Sequence, residues 1–158
     1  MEFNDIKFPK SKVKPISHAA VDKMETLLGT RFPLHYREYI TTLGEGSFSG
    51  AYIRIYPPRR ILNELTEFRE LWNEYWFWDA SKEVISKADA QGCIILGDTM
   101  EGDQLIFHPR SPDDIFVLPR NSEMVYRIEP GVLAIIDWLC RSGILARPSK
   151  NLKFTPFD

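Results

Sequence analysis

The pattern of apolar positions changes character midway along the chain. In the first half, apolar residues recur at helical spacing: Val21, Met24 and Leu28, then Tyr36, Ile40 and Leu43. Residues three and four apart share a helix face, so each group marks a stripe that needs covering. Ser17 is placed to cap the first helix and Gly29 to stop it. Pro33 opens the second, since its fixed φ and missing N–H suit a first turn, and Gly44 ends it. The glycine-rich segment Gly44-Glu-Gly-Ser-Phe-Ser-Gly50 is expected to be a loop. Residues 51–56 alternate among β-formers and predict a strand stopped by Pro57-Pro58. A helix is then expected from 61 to about 76, with Ile61, Leu65, Phe68, Trp72 and Tyr75 as its buried stripe. Residues 79–92 are mostly polar and predict a short helical turn.

The second half reads differently. Short apolar runs at 93–97, 104–108, 115–118 and 125–128 are separated by the turn-forming clusters Met100-Glu-Gly-Asp103, Pro109-Arg-Ser-Pro-Asp113 and Asn121-Ser-Glu123. Connections this short join antiparallel neighbours, so a strand meander is predicted. Pro130 opens a last helix with Leu133, Ile136, Leu139 and Cys140 facing inward and Gly143 near its end. Residues 1–15 form a polar, lysine-rich arm or edge strand, and residues 146–158 a tail that is either an added strand or loose. This order predicts one α+β domain over residues 16–145, with about four helices gathered on a twisted, largely antiparallel sheet.

Length and charge narrow the function. A chain of 158 residues buries roughly 68–70 % of its unfolded surface, enough for one core without metal or disulfide support. The net charge of −2 gives no basic excess for neutralising phosphates, so direct nucleic-acid binding is not expected. The charge is nevertheless uneven. Lys7, Lys10, Lys12 and Lys14 make the arm basic, while Glu64, Glu67, Glu70 and Glu74 form an acidic run. Cys93 and Cys140 each lie in an apolar run and read as buried, reduced thiols. The N-terminal residues hold no apolar signal core, and no run approaches the ~20 apolar residues of a membrane span. A cytoplasmic protein with no membrane partner is expected.

Candidate catalytic and ligand motifs fail on chemistry. Gly97 and Gly102 have the outer spacing of a phosphate-binding loop, yet Asp103 and Gln104 stand where lysine and a hydroxyl residue are needed. The 44–50 glycines follow a helix and precede a strand, the reverse of a dinucleotide fingerprint. Asp98, Glu101 and Asp103 do not match a calcium loop and read as hairpin-turn acids that cap backbone amides. His18, His35 and His108 are isolated from one another and from cysteine, so no metal site is expected. No nucleophile elbow occurs. No catalytic residue and no cofactor are assigned.

Two features stay open to a binding role. Trp72, Trp76, Phe77 and Trp78 crowd the end of the long helix, and they cannot all point inward from a regular helix. Either the cluster is core, or one or two of its rings sit on the surface as hot-spot anchors. The glutamates are either a solvated helix face or a surface that attracts a basic partner. Glu67, Glu70, Glu74, Trp76 and Trp78 are the candidate partner-binding residues.

The residues also resemble a known family. Leu28-Gly29, Phe32-Pro33 with Tyr36 and Tyr39-Ile40, and the turn Gly44-Glu-Gly46 look like the signature of the SUKH superfamily, as do Ile95-Leu-Gly97-Asp98, Gly102-Asp103, Leu105-Ile-Phe107, Ile135-Ile136 and Trp138-Leu139. The resemblance spans about residues 16–142. The superfamily includes the fungal cell-wall-synthesis regulator domain and many bacterial toxin-immunity proteins. It implies an α+β domain without a recognised active site, in which Gly29, Pro33, Tyr36, Gly44, Gly46, Gly97, Asp98, Gly102, Asp103 and Trp138 serve the fold. It further implies a cytoplasmic immunity protein in bacteria whose partner is a toxin effector domain, such as a nuclease. A regulatory or scaffolding interaction module is the alternative, and a small hydrolase ranks last.

Overall fold

The computed structural model describes residues 1–49 and 51–158, so the last glycine of the 44–50 segment, Gly50, lies outside the described residues. Helices α1 (His18–Leu28) and α2 (Tyr36–Thr42) come first, followed by strands β1 (Gly46–Phe48) and β2 (Arg54–Ile55), then α3 (Pro58–Glu74) and α4 (Lys87–Gly92). Strands β3 (Ile94–Asp98), β4 (Gln104–His108), β5 (Ser111–Leu118) and β6 (Tyr126–Ile128) make the meander, and α5 (Gly131–Arg141) and β7 (Phe154–Pro156) complete the chain. The sheet order β2-β3-β4-β5-β6 is antiparallel throughout. This is the expected α+β architecture, with five α-helices.

The caps fall where the sequence places them at α1. The Ser17 hydroxyl accepts the Ala20 N–H at 3.2 Å, and Gly29 closes the helix at φ 66°. The connection to α2 is held by two carboxylates. Glu25 accepts the Phe32 N–H at 2.9 Å, and Asp113 on β5 accepts the Leu34 N–H at 2.7 Å. Asp113 also binds both ends of the Arg31 guanidinium, at 2.9 and 2.7 Å. This turn delays α2, which begins at Tyr36 rather than at Pro33.

Register fixes the two faces of the sheet. Ile95, Ile106 and Phe116 pair across one face, while Leu105 and Val117 pair on the other, and all five are buried. Phe32 meets Phe107 on one side (ring centroids 6.1 Å apart), and Trp138 of α5 meets Tyr126 at 5.1 Å. On the opposite side the Trp72 indole of α3 donates to the Gln104 side chain. Tyr36 ties the helical half to the sheet half: its ring stacks on Phe32 at 4.0 Å, and its hydroxyl donates to the Tyr56 carbonyl at 2.7 Å.

The two chain ends correct one expectation. Gly46–Phe48 is a strand, not loop, and it pairs with β7 in the tail (Gly46↔Pro156, Ser47↔Thr155, Phe48↔Phe154). Phe154 is fully buried between Phe48 and Tyr39. Gly46 is glycine because any Cβ there would run into the Phe154 ring and the Thr155 carbonyl. The arm lies alongside the tail, since Lys7 forms an isolated parallel bridge with Lys153, the residue before β7. Both termini are thus integral to the fold. Phe154→Ala should empty a buried aromatic site and cost about 3–5 kcal/mol, read as a lower urea midpoint. A change within experimental error would show that the tail is not part of the cooperative core.

Candidate partner-binding surface

Helix α3 presents two unlike faces. Pro58 enters at its first turn, and Ile61, Leu65 and Trp72 line the buried side at helical spacing. Two of its three arginines are engaged with protein groups, while Arg59 is exposed. Arg69 donates from Nε and from a terminal nitrogen to the Cys93 carbonyl, both at 3.0 Å, which caps the end of α4. Arg60 lies 3.7 Å over the Tyr56 ring and binds Glu64 at 3.0 Å and Glu45 at 3.3 Å. Glu64 is therefore neutralised. Glu67, Glu70 and Glu74 are exposed, and none of the three has a cationic partner within 4 Å among the described residues. Leu71, 41 % exposed, sits among them in a shallow depression.

The aromatic cluster splits. The helix ends at Glu74, earlier than the hydrophobic pattern predicts, because Tyr75 turns to an extended conformation (φ −64°, ψ 134°). That turn releases Trp76 from the Trp72 face and leaves it 74 % exposed. Trp78 goes the other way: it is 4 % exposed, and its indole N–H donates to the Trp72 carbonyl at 2.7 Å. Its placement as a surface anchor is therefore corrected. The Trp72 carbonyl, in the last helical turn, also accepts the Tyr75 N–H at 3.3 Å, and Trp78 packs on Tyr75 and Phe77. The segment is then pinned to the sheet by Ser81, whose hydroxyl donates to the Glu123 carbonyl at 2.6 Å and accepts the Val125 N–H at 3.1 Å. Trp76 thus projects from a braced segment beside Glu74. Leu71 was missed because it sits off the buried stripe of α3, as does Leu62, which is also exposed.

Asp98 forms a two-pronged ion pair with Arg54 across β2 and β3. Asp103 accepts the Thr99 hydroxyl at 2.8 Å and the Arg120 N–H at 3.0 Å, closing the β3–β4 turn around Gly102. The two acids are engaged with protein groups, and no cluster of three metal-ligating side chains occurs among the described residues. Asp89, Cys93, His108 and Arg110 do approach one another. Asp89 is bound to Arg110 at 2.7 Å and to the Ser86 hydroxyl at 2.8 Å. Burial pushes the Cys93 thiol up to about 12, so it is protonated at neutral pH and is no nucleophile. No helix of the described residues is long and apolar enough to cross a membrane.

Residues 15–134 match the model of the SMI1 / KNR4 family (SUKH-1), from the residue before Ile16 to the first turn of α5. The chain belongs to this family. Comparison with curated proteins finds no match. The SUKH-1 match contains α1–α4, β1–β6 and hence the whole α3 surface, whereas the arm and β7 lie beyond it.

Two outcomes test this layout. Trp78→Ala should cost about 3–5 kcal/mol and Trp76→Ala no more than about 0.5, measured by denaturant unfolding; equal losses would contradict the split. Both thiols, buried and raised in pKa, should resist Ellman's reagent in the native protein at mildly alkaline pH and react fully once unfolded. Because folding favours the protonated form of Cys93, its contribution is complete below its ordinary value of 9.0 and is lost as pH rises toward about 12. Stability that rose over that interval would contradict the buried, protonated thiol.

Proposed function

We propose that this SUKH-1 protein is a non-catalytic, cytoplasmic immunity protein that binds and neutralises the effector domain of a cognate bacterial toxin. The observation that carries the reading is an exposed indole, Trp76, on a braced segment beside three unpaired carboxylates. A large exposed aromatic on an ordered backbone gives contact area at little entropic cost, which is how interface anchors work. Unpaired carboxylates keep their long-range field, so they draw in a basic surface such as that of a nuclease.

The geometry divides the labour. Glu67, Glu70 and Glu74 speed encounter, and Trp76 with Leu71 slows escape. Co-expression with the product of the neighbouring gene should restore growth and yield a stable complex. In that complex Glu67→Lys, Glu70→Lys and Glu74→Lys together should slow association about tenfold or more at low salt, with the difference shrinking as salt rises. Trp76→Ala should act chiefly on the dissociation rate. Association rates unchanged by the three substitutions at low salt would remove the acidic face from the mechanism.

A further inference from the structure

A groove of about 1040 Å³ lies not on α3 but between the arm and β7. Every residue lining it falls in 7–14 or 151–158, outside the SUKH-1 match. Lys7, Lys12, Lys14 and Lys153 stand around it, all exposed, and none has a carboxylate within 4 Å among the described residues. Lys7 and Lys153 are partners in an isolated parallel bridge, so two like charges are held on adjacent backbone segments, and neither is in an ion pair among the described residues. Such a pair is destabilising unless something negative joins it. The floor is apolar: Phe8, Val13 and Pro156 are half-buried, and Phe157 is 39 % exposed.

From this placement, the geometry points to a docking groove for an extended, acidic protein segment, in which the four ammonium groups hold carboxylates and the apolar floor takes the side chains between them. Three observations favour that occupant. Four lysines against the single Asp158 side chain leave the lining positive on a chain whose net charge is −2, so the patch favours negative groups. Pro156 offers no N–H, which blunts strand addition along β7 and leaves recognition to side chains. A polynucleotide fits less well, because the groove holds no arginine to grip phosphates with a two-pronged fork. The inference is independent of the immunity reading, since it uses none of the α3 residues.

The test uses the full chain and a fluorescein-labelled peptide of about ten residues, long enough to span roughly 30 Å when extended, with glutamates alternating with leucine and phenylalanine. Anisotropy should show saturable binding that weakens at least tenfold between ~50 and ~300 mM salt. Lys7→Glu with Lys12→Glu, and separately Lys14→Glu with Lys153→Glu, should each weaken binding about tenfold or more, and Phe8→Ala severalfold, with circular dichroism melts of the lysine variants unchanged. The α3 variant Glu67→Lys/Glu70→Lys should bind the peptide as the parent does. Equal affinity for the peptide with glutamine in place of glutamate overturns the proposal, as does tighter binding of a thymidine oligonucleotide of similar length. Self-association of the parent that both lysine pairs abolish would make a second copy the occupant and also overturns it.

Discussion

The central strands are buried on both faces, and most of the chain's other features answer that constraint. Ile95, Ile106 and Phe116 on one side and Leu105 and Val117 on the other leave no solvent face in the middle of the sheet. Two layers of cover are needed, and a chain of this length has few helices to provide them. Aromatic side chains bury large area per residue, which accounts for an aromatic content of 13 %. Trp72, Trp78, Tyr36 and Phe32 carry out this covering, and each buried N–H or O–H among Trp72, Trp78 and Tyr36 finds an acceptor. Trp76 stands apart because it covers nothing.

The same constraint explains how the termini are used. α2, with Tyr39 and Ile40 buried, needs a lid on the side away from the large sheet. Phe48 and Phe154 supply it, and they are brought together by β1 and β7. The SUKH-1 match ends in the first turn of α5, so this chain closes that part of its core with residues outside the family pattern. The closure also creates the basic groove as a by-product of where Lys7 and Lys153 must sit.

Local signals in the sequence carried the helices and the meander. Ser17 and Gly29 bracket α1 as their cap chemistry demands, and the 104–108 run became β4 without change. The misreadings share a cause: the deciding partner lies far away in the sequence. Gly46–Phe48 looks like loop until Phe154, more than a hundred residues on, is paired beside it. β5 starts at Ser111 because His108 pairs with it across a register shift, drawing a turn-like Pro112-Asp113 into the strand. Trp78 reads as a surface candidate because helical periodicity would point it outward, and only the break at Tyr75 lets it fold back under the helix end. The acidic face was legible, since exposure there follows from what α3 must bury, whereas the exposure of Trp76 depends on the same break at Tyr75. The groove was half legible: the arm lysines stand out, but Lys153 and Phe157 join them only through the pairing of the two chain ends.

Net charge conceals the electrostatics of this molecule. A value of −2 reflects two opposed patches, each lacking partners of its own. Whether they cancel depends on separation against screening. The Debye length is about 8 Å at physiological ionic strength. Glu45 lies beside β7, accepting the Phe157 N–H at 3.1 Å, and reaches Arg60 near the start of α3. From Arg60 the first unpaired carboxylate, Glu67, is about 10 Å further along the helix and Glu74 about 20 Å, at 1.5 Å per residue. The acidic stretch therefore begins more than one screening length beyond the point where the helix is tethered to the terminal sheet. Arg60 bridges Glu64 and Glu45 in between. Each face presents its own sign to solvent, and the field of one does not dull that of the other.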